Sequence, residues 1–138
     1  MRPVVSDRNR KVLFQSLSPV RANKSELIKR MQTNLELANA GQIPGRSENV
    51  ASELTEMLIS QVAQLFDRGE FGNLDEIRNE HDRLQLTGQI YSRFGDALIP
   101  ILKDLVGPDV PVSAPGAWCQ TFWSIIGKVN SDQKLETV

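Results

Sequence analysis

The chain holds a single histidine, His81, and a single cysteine, Cys119, and these two residues limit the chemistry that it can perform. One histidine and one cysteine cannot build a structural zinc site, and one cysteine cannot form an internal disulfide. No serine or cysteine is placed as a nucleophile with His81 as its base. The sequence also has neither the GxxxxGK nor the GxGxxG pattern of a phosphate-binding loop. It therefore does not predict an enzyme.

His81 lies on an apolar face of its predicted helix, between Ile77 and Leu84. Such a histidine can be a core residue whose polar atoms are hydrogen-bonded. It can also be an axial ligand of haem iron, because such a ligand is a neutral imidazole that projects from a helix into an apolar pocket. Periodicity leaves both interpretations open. The apolar residues that would line such a pocket on the preceding helix are Val50, Leu54, Met57 and Leu58.

The composition is that of a globular chain with balanced charge. Its 138 residues include 16 Lys and Arg and 17 Asp and Glu, and 40% are hydrophobic. The length predicts one domain over residues 1–138, with a polar N-terminal lead at 1–10 and a polar C-terminal tail at 130–138. A net charge of −1 argues against nucleic acid as a partner, and no apolar run is long enough for a membrane span. The charged N-terminus lacks a signal segment, so we expect a cytoplasmic protein.

Apolar residues recur at helical spacing along nearly the whole chain, which predicts an all-α fold of about six helices. The first helix contains Val12–Leu17 and is expected to stop near Ser18-Pro19, because the residue before proline avoids the α conformation. A capping box at Asn23–Glu26 predicts the start of the second helix. A short connector over 39–46, rich in glycine, then separates the second helix from the third.

The remaining helices follow from capping residues and from glycine and proline. Ser47 is expected to cap the third helix, which Gly69 closes. A second capping box at Asn73–Glu76 predicts the short helix that carries His81. The fifth helix should extend over Gly88–Val106, and a Pro-rich loop at Asp109–Gly116 should precede the sixth.

The residues from His81 onward resemble bacterial single-domain globins and the globin domain of flavohaemoglobins. Upstream, residues 18–35 are similar to the family's first two helices and 47–65 to its distal helix. The resemblance covers most of the chain and implies a globin-like helical fold. The matching residues are His81, Tyr91-Ser92-Arg93-Phe94-Gly95-Asp96-Ala97-Leu98, Val106-Gly107, Ala117-Trp118 and Phe122.

The resemblance also implies roles for individual residues. His81 would be the proximal ligand of haem b iron, and Tyr91 would pack beside it and hydrogen-bond in its surroundings. On the distal side, Gln32 stands where the family usually has a tyrosine that binds oxygen, and an amide can donate a hydrogen bond in its place. Val50 occupies a position often filled by Gln or His, and Leu54 the apolar position over the iron. The other implied haem contacts are Met57, Ile77, Leu84, Leu86, Phe94 and Leu98.

Three departures from the family leave two functions open. The segment Leu37–Asn49 has no aromatic residue where the family has a phenylalanine that stacks on the porphyrin, and the connector within it is shorter than usual. The last helix also lacks an evident glutamate to partner Tyr91. The first function is reversible binding of a diatomic gas, O2, NO or CO, by haem held through His81. The alternative is a haem-free globin-like domain that acts as a regulatory or dimerising interaction module, with a homodimer as one arrangement.

Overall fold

A computed structural model describes residues 6–38, 47–84, 86 and 88–137, and this part of the chain is helical without a strand. The predicted all-α class and the number of helices are confirmed. The connector at 39–46 lies outside the described residues, and its shortness stays a prediction. The helices are α1 (Asp7–Ala22), α2 (Lys24–Ala38), α3 (Ser47–Arg68), α4 (Leu74–Arg83), α5 (Gly88–Val106) and α6 (Ala114–Thr137), with a 3-10 turn at Gly107–Asp109.

α3 packs on α1 and most extensively on α2. α2 packs in turn on α5, α5 on α6, and α6 on both α1 and α4. The predicted apolar stripe of α3 is buried because its members recur every three or four residues along one face. Burial of each large apolar side chain contributes about 1.5–3 kcal/mol. The buried apolar residues of α3 are Val50, Ala51, Leu54, Met57, Leu58, Ile59, Val62 and Leu65.

α4 is held differently from the other helices. It is only 10 residues long, and its buried residues are Ile77, Arg78 and His81. Its main partner in the described part of the chain is α6, and its contact with α3 is much smaller than that of α1 or α2 with α3. α3 and α4 therefore face each other across a space that close helix packing does not fill.

A buried hydrogen bond joins the first helix to the last. The indole Nε1 of Trp118 donates to Ser16 Oγ at 2.7 Å, and Ser16 Oγ donates to the carbonyl of Val12 at 2.8 Å. Trp118 is the largest fully buried side chain, and a buried indole N–H needs an acceptor. Ser16 supplies that acceptor from a position 102 residues away.

The prediction that the first helix stops near Ser18-Pro19 is wrong, because α1 continues through Pro19 to Ala22. The buried face of α1 includes Leu13, Ser16 and Val20, so the helix must pass the proline to bury Val20. The predicted capping role of Asn23 is also wrong. Its side-chain amide donates to the carbonyl of Pro19 at 2.9 Å and so caps the end of α1 instead of the start of α2.

Both ends of α6 and the start of α4 also differ from the predictions. α6 begins at Ala114, within the expected loop Asp109–Gly116, because a proline is accommodated in the first turn of a helix, where its missing N–H has no partner to lose. α6 then continues through the predicted polar tail to Thr137. Asn73 precedes α4 in the left-handed conformation (φ 56°, ψ 32°) and makes no capping hydrogen bond, so the second capping box is not formed.

An aromatic ring at the outer surface lies against a glycine of the neighbouring helix. The ring of Trp123 on α6 covers Gly95 on α5, and a Cβ at residue 95 would lie 2.7 Å from that ring. Trp123 is 40% exposed.

Among the described helices, none combines the length and the apolar character needed to cross a bilayer.

Removing the acceptor for Trp118 should destabilise the fold. We expect Ser16→Ala to lower the free energy of unfolding by about 1–3 kcal/mol, because the indole N–H would remain buried without a partner. Urea denaturation measures the change. Ser18→Ala is the matched control, since Ser18 is exposed on the same helix, and it should change the free energy of unfolding by less than about 0.5 kcal/mol. Equal effects of the two substitutions would contradict the prediction.

Candidate functional site

His81 and Tyr91 meet in the interior, where α4 lies close to the start of α5. The imidazole Nδ1 and the tyrosine hydroxyl are 2.8 Å apart and form a hydrogen bond. The exposed fraction is 3% for His81 and 6% for Tyr91. Two side chains that are ten positions apart in the sequence, and that belong to two different helices, therefore form a donor–acceptor pair.

The local sequence explains how each side chain reaches this position. His81 lies four residues after Ile77, so both belong to the buried face of α4. The backbone N–H of Leu86 donates to the carbonyl of His81 at 3.1 Å and holds the chain as it leaves the helix. Tyr91 lies on the inner face of α5 with Phe94, and its ring centroid is 6.4 Å from that of Phe122 on α6.

Burial keeps both side chains neutral. Loss of solvent lowers the pKa of His81 to about 4, although the nearby carboxylates of Asp82 and Glu80 oppose this shift. Loss of solvent also raises the pKa of Tyr91 to about 12, and Asp82 adds to that shift. At neutral pH the pair is therefore an uncharged imidazole hydrogen-bonded to an uncharged phenol.

The second nitrogen of His81 has no partner. Nε2 is buried and makes no hydrogen bond within the described part of the chain. Leaving a buried polar atom unpaired costs about 1–3 kcal/mol, so such an atom in a folded protein needs an explanation. An imidazole whose Nδ1 is fixed by a hydrogen bond and whose Nε2 is free has the arrangement of a metal-ligating histidine.

The other predicted contact residues lie mostly in the common core. Seven of the nine are buried, Leu86 is half-buried against the core, and Gln32 is half-buried on α2. The structure thus places predicted residues of α3, α4 and α5 in the same buried core as Tyr91. The seven buried residues are Val50, Leu54, Met57, Ile77, Leu84, Phe94 and Leu98.

A groove with a volume of about 340 Å³ lies between α3 and α4. Two of the predicted contact residues, Met57 and Ile77, line it, but most of its lining is polar. Burial raises the pKa of Glu53, and the nearby carboxylates of Glu80 and Glu56 raise it further. Glutamates on both helices therefore face one another across this groove. The glutamates of the lining are Glu53, Glu56, Glu76 and Glu80.

The glutamates of the groove were not predicted from the sequence as site residues. Glu53 and Glu56 are three residues apart on α3, and Glu76 and Glu80 are four apart on α4. Each spacing places two carboxylates on one face of a helix, and this was the available signal. It does not reveal that the two faces oppose each other. Exposed cations offset part of the charge, since Lys24 Nζ lies 3.1 Å from Glu56 and Arg83 pairs with Glu80.

Gln61 forms a double hydrogen bond to the segment between α3 and α4. Its side-chain Nε2 donates to the carbonyl of Gly72 at 2.7 Å, and its Oε1 accepts from the backbone N–H of Gly72 at 3.1 Å. Gln61 is 3% exposed. Gln61 lies four residues after Met57 and so belongs to the buried face of α3, but its polar role depends on a residue 11 positions later.

The described residues contain no group of three or more His, Cys, Asp or Glu side chains that could hold a metal ion. Comparison with models of known protein families finds no match to this chain, and comparison with curated proteins finds no relative. The candidate site is therefore defined by its own geometry, which is a buried neutral imidazole with one fixed and one unpaired nitrogen.

The burial of His81 should make stability depend on pH in the ligand-free protein. Its pKa is about 4 when folded against an ordinary value of 6.5, so the unfolded chain takes up a proton at higher pH than the folded one. This group should lower the free energy of unfolding by about 3 kcal/mol as the pH falls from 6.5 to 4. Below pH 4 both states are protonated and the loss stops.

Because His81 is the only histidine, its imidazole resonances can be assigned without ambiguity in an NMR titration. The midpoint should lie near 4 in the folded protein and near 6.5 in urea. The difference between the stability curves of wild type and His81→Gln isolates the contribution of this group from that of the carboxylates. A folded-state midpoint near 6.5 would contradict the burial of His81.

Proposed function

We propose that the chain is a globin-like protein that binds haem b through His81 and reversibly binds a diatomic gas, O2, NO or CO, at the iron. The observation that carries the proposal is the unpaired Nε2 of a buried, neutral His81 whose Nδ1 is held by Tyr91. A metal at Nε2 would give this atom a partner. In that tautomer, Nδ1 carries the proton, and the Nδ1–H group donates a hydrogen bond to the Tyr91 oxygen. This bond fixes the orientation of the ring.

The donor set fits haem better than a free metal ion. His81 is the only histidine of the chain, and within the described residues no cluster of additional ligands surrounds a metal site. A porphyrin provides its own four nitrogen ligands, so a single histidine is sufficient. When bound, haem supplies an iron with a coordination position for the gas. Since the chain has no second histidine, that position cannot be closed by bis-histidine ligation.

The helix arrangement supports a globin-like fold. α3 and α4 face each other without close packing, while the remaining helices pack on one another around them. Helices packed in pairs around a pocket for haem are the general plan of globins. In a haem-bound form of this arrangement, α3 would provide the side of the pocket opposite His81, and α5 provides Tyr91, the partner of Nδ1.

The side chains on the α3 side would make an apolar pocket. Val50 and Leu54 are fully buried and have no hydrogen-bond donor to offer a bound gas. Gln32 on α2 is half-buried, and its amide is the candidate donor. These residues would exclude water from the iron, and a bound oxygen would receive at most one hydrogen bond from this set. We therefore expect reversible ligand binding, without oxygen activation.

The alternative function is favoured by the charge of the groove between α3 and α4. Haem has carboxylate side chains of its own, and Glu53, Glu56, Glu76 and Glu80 would repel them. A haem-free globin-like domain that acts as a regulatory or dimerising interaction module does not meet this repulsion. Such a module, including a homodimer, would keep His81 as a core residue.

Uptake of hemin by the purified protein tests the two functions. Wild type should bind hemin with a Soret band that shifts on reduction with dithionite and shifts again with CO. His81→Ala should lose this signature while its far-ultraviolet circular dichroism stays helical. Leu65→Ala is the matched control, because it removes a buried side chain of α3 that is not among the predicted haem contacts, and it should keep the signature.

Tyr91→Phe refines this test, because it removes the partner of Nδ1 and keeps the aromatic ring. We expect it to retain the Soret band but to weaken hemin affinity by roughly tenfold. A wild type that takes up no hemin would contradict the haem proposal and leave the interaction module. Equal hemin binding by wild type and His81→Ala would show that His81 is not the ligand.

A further inference from the structure

The position of α4 relative to α3 depends on very few contacts. α4 is short, packs mainly on α6, and buries only three of its side chains. Its start is also unusual, since Asn73 is left-handed and provides no capping hydrogen bond. An N-terminus of this kind does not fix the helix by itself. Some other contact must therefore hold the beginning of α4 at a defined distance from α3.

The double hydrogen bond of Gln61 is placed to do this. It binds the backbone of Gly72, two residues before the first residue of α4. Because both bonds come from one planar amide, they fix the orientation of the connected peptide as well as its distance. The bonds are part-buried, so water competes with them less than with surface bonds.

The close fit at Gly72 supports the same role. A Cβ at this residue would lie 1.9 Å from the side-chain nitrogen of Gln64, one turn along α3. The segment therefore lies against α3, and a methyl group at residue 72 would require the end of the Gln64 side chain to move. By contrast, a Cβ at Gly69, where the chain leaves α3, would meet nothing within 4 Å. Contact between the connector and α3 is tight at Gly72.

The effect of this contact extends to His81. A helix rises 1.5 Å per residue, so His81 lies roughly 10 Å along α4 from its first residue, Leu74. A small rotation about the start of α4 would therefore move the imidazole by a comparable or larger amount than it moves Gly72. Gln61 also lines the groove between α3 and α4, together with Met57 and Ile77, so it lies at the interface whose width is in question.

We infer that Gln61 is a positioning residue: its amide fixes the start of α4 against α3 and thereby holds His81 at its place in the candidate site. The link to haem rests on the proposed function, whereas the control of α4 does not. Loss of the amide should release α4 locally while the core of α1, α2, α3, α5 and α6 stays folded.

Native-state hydrogen exchange of the ligand-free protein tests the control of α4. Gln61→Leu keeps the size of the side chain and removes both bonds to Gly72. We expect exchange of the α4 amides to accelerate about ten- to thirtyfold, with little change in the amides of α5 and α6. Leu65→Ala is the matched control, because Leu65 is buried one turn further along α3 and its loss creates a cavity without touching Gly72.

The control separates a local effect from general destabilisation. Leu65→Ala should lower the free energy of unfolding without a selective effect on α4. If Gln61→Leu leaves exchange in α4 unchanged, or accelerates exchange equally in all helices, the inference is overturned.

Hemin affinity provides the second readout. At matched free energies of unfolding, Gln61→Leu should weaken hemin binding by about tenfold relative to Leu65→Ala and shift the Soret band of its CO complex. If α4 exchanges faster and hemin binding is unchanged, the positioning of His81 for haem is overturned. If wild type binds no hemin, the proposed function fails, and the exchange comparison alone decides the role of Gln61.

Discussion

The hydrogen bond between His81 and Tyr91 connects two helices that differ in their packing. In the described part of the chain, α4 packs mainly on α6, whereas α5 packs on both α2 and α6. Tyr91 belongs to α5, which packs on α2 and α6, so its hydroxyl is held by a large apolar framework. His81 belongs to α4, whose own buried surface is small. An imidazole in such surroundings loses the solvation of both nitrogens, and the fold compensates for one of them. The chemical character of the site follows from this imbalance.

The same imbalance explains the distribution of polar groups around α4. At its start, the Gln61 amide satisfies both backbone groups of Gly72, and at its end the Leu86 amide binds the carbonyl of His81. Between these ends the helix is anchored by few apolar side chains. Directional hydrogen bonds replace apolar packing as the means of placing this helix, and they leave the facing side of α3 accessible across the groove.

Much of the fold could be predicted from the sequence, because helical periodicity is a local signal. The apolar residues predicted on α3, which are Val50, Leu54, Met57 and Leu58, follow from it, as does the apolar face of His81. The structure buries them as expected. One error occurs where tertiary packing outweighs a local preference, since Pro19 stays within α1 because Val20 beyond it is buried. The error at Asn23 is local, because its amide lies between two helix ends and binds the carbonyl of Pro19, four residues back.

The candidate site was predictable only in part for a related physical reason. A histidine and a tyrosine on apolar faces are visible in the sequence, but the 2.8 Å contact between them depends on how α4 and α5 cross. The hydrogen bonds from Gln61 to Gly72 and from Trp118 to Ser16 join residues that have no periodic relation in the sequence. The acidic groove likewise arises only when two helices with ordinary charged faces are placed opposite each other.

The packing of Trp123 on Gly95 constrains how this sequence can diverge. A methyl group at residue 95 would overlap the indole, so the residues at these two positions cannot change independently. A lineage that gains a side chain at 95 must exchange the ring at 123 for a smaller group or let it swing into solvent. A side chain at 95 is therefore tolerated only together with a change in the size or the position of the group at 123. Relatives of this chain should pair a large residue at one of these positions with a small residue at the other.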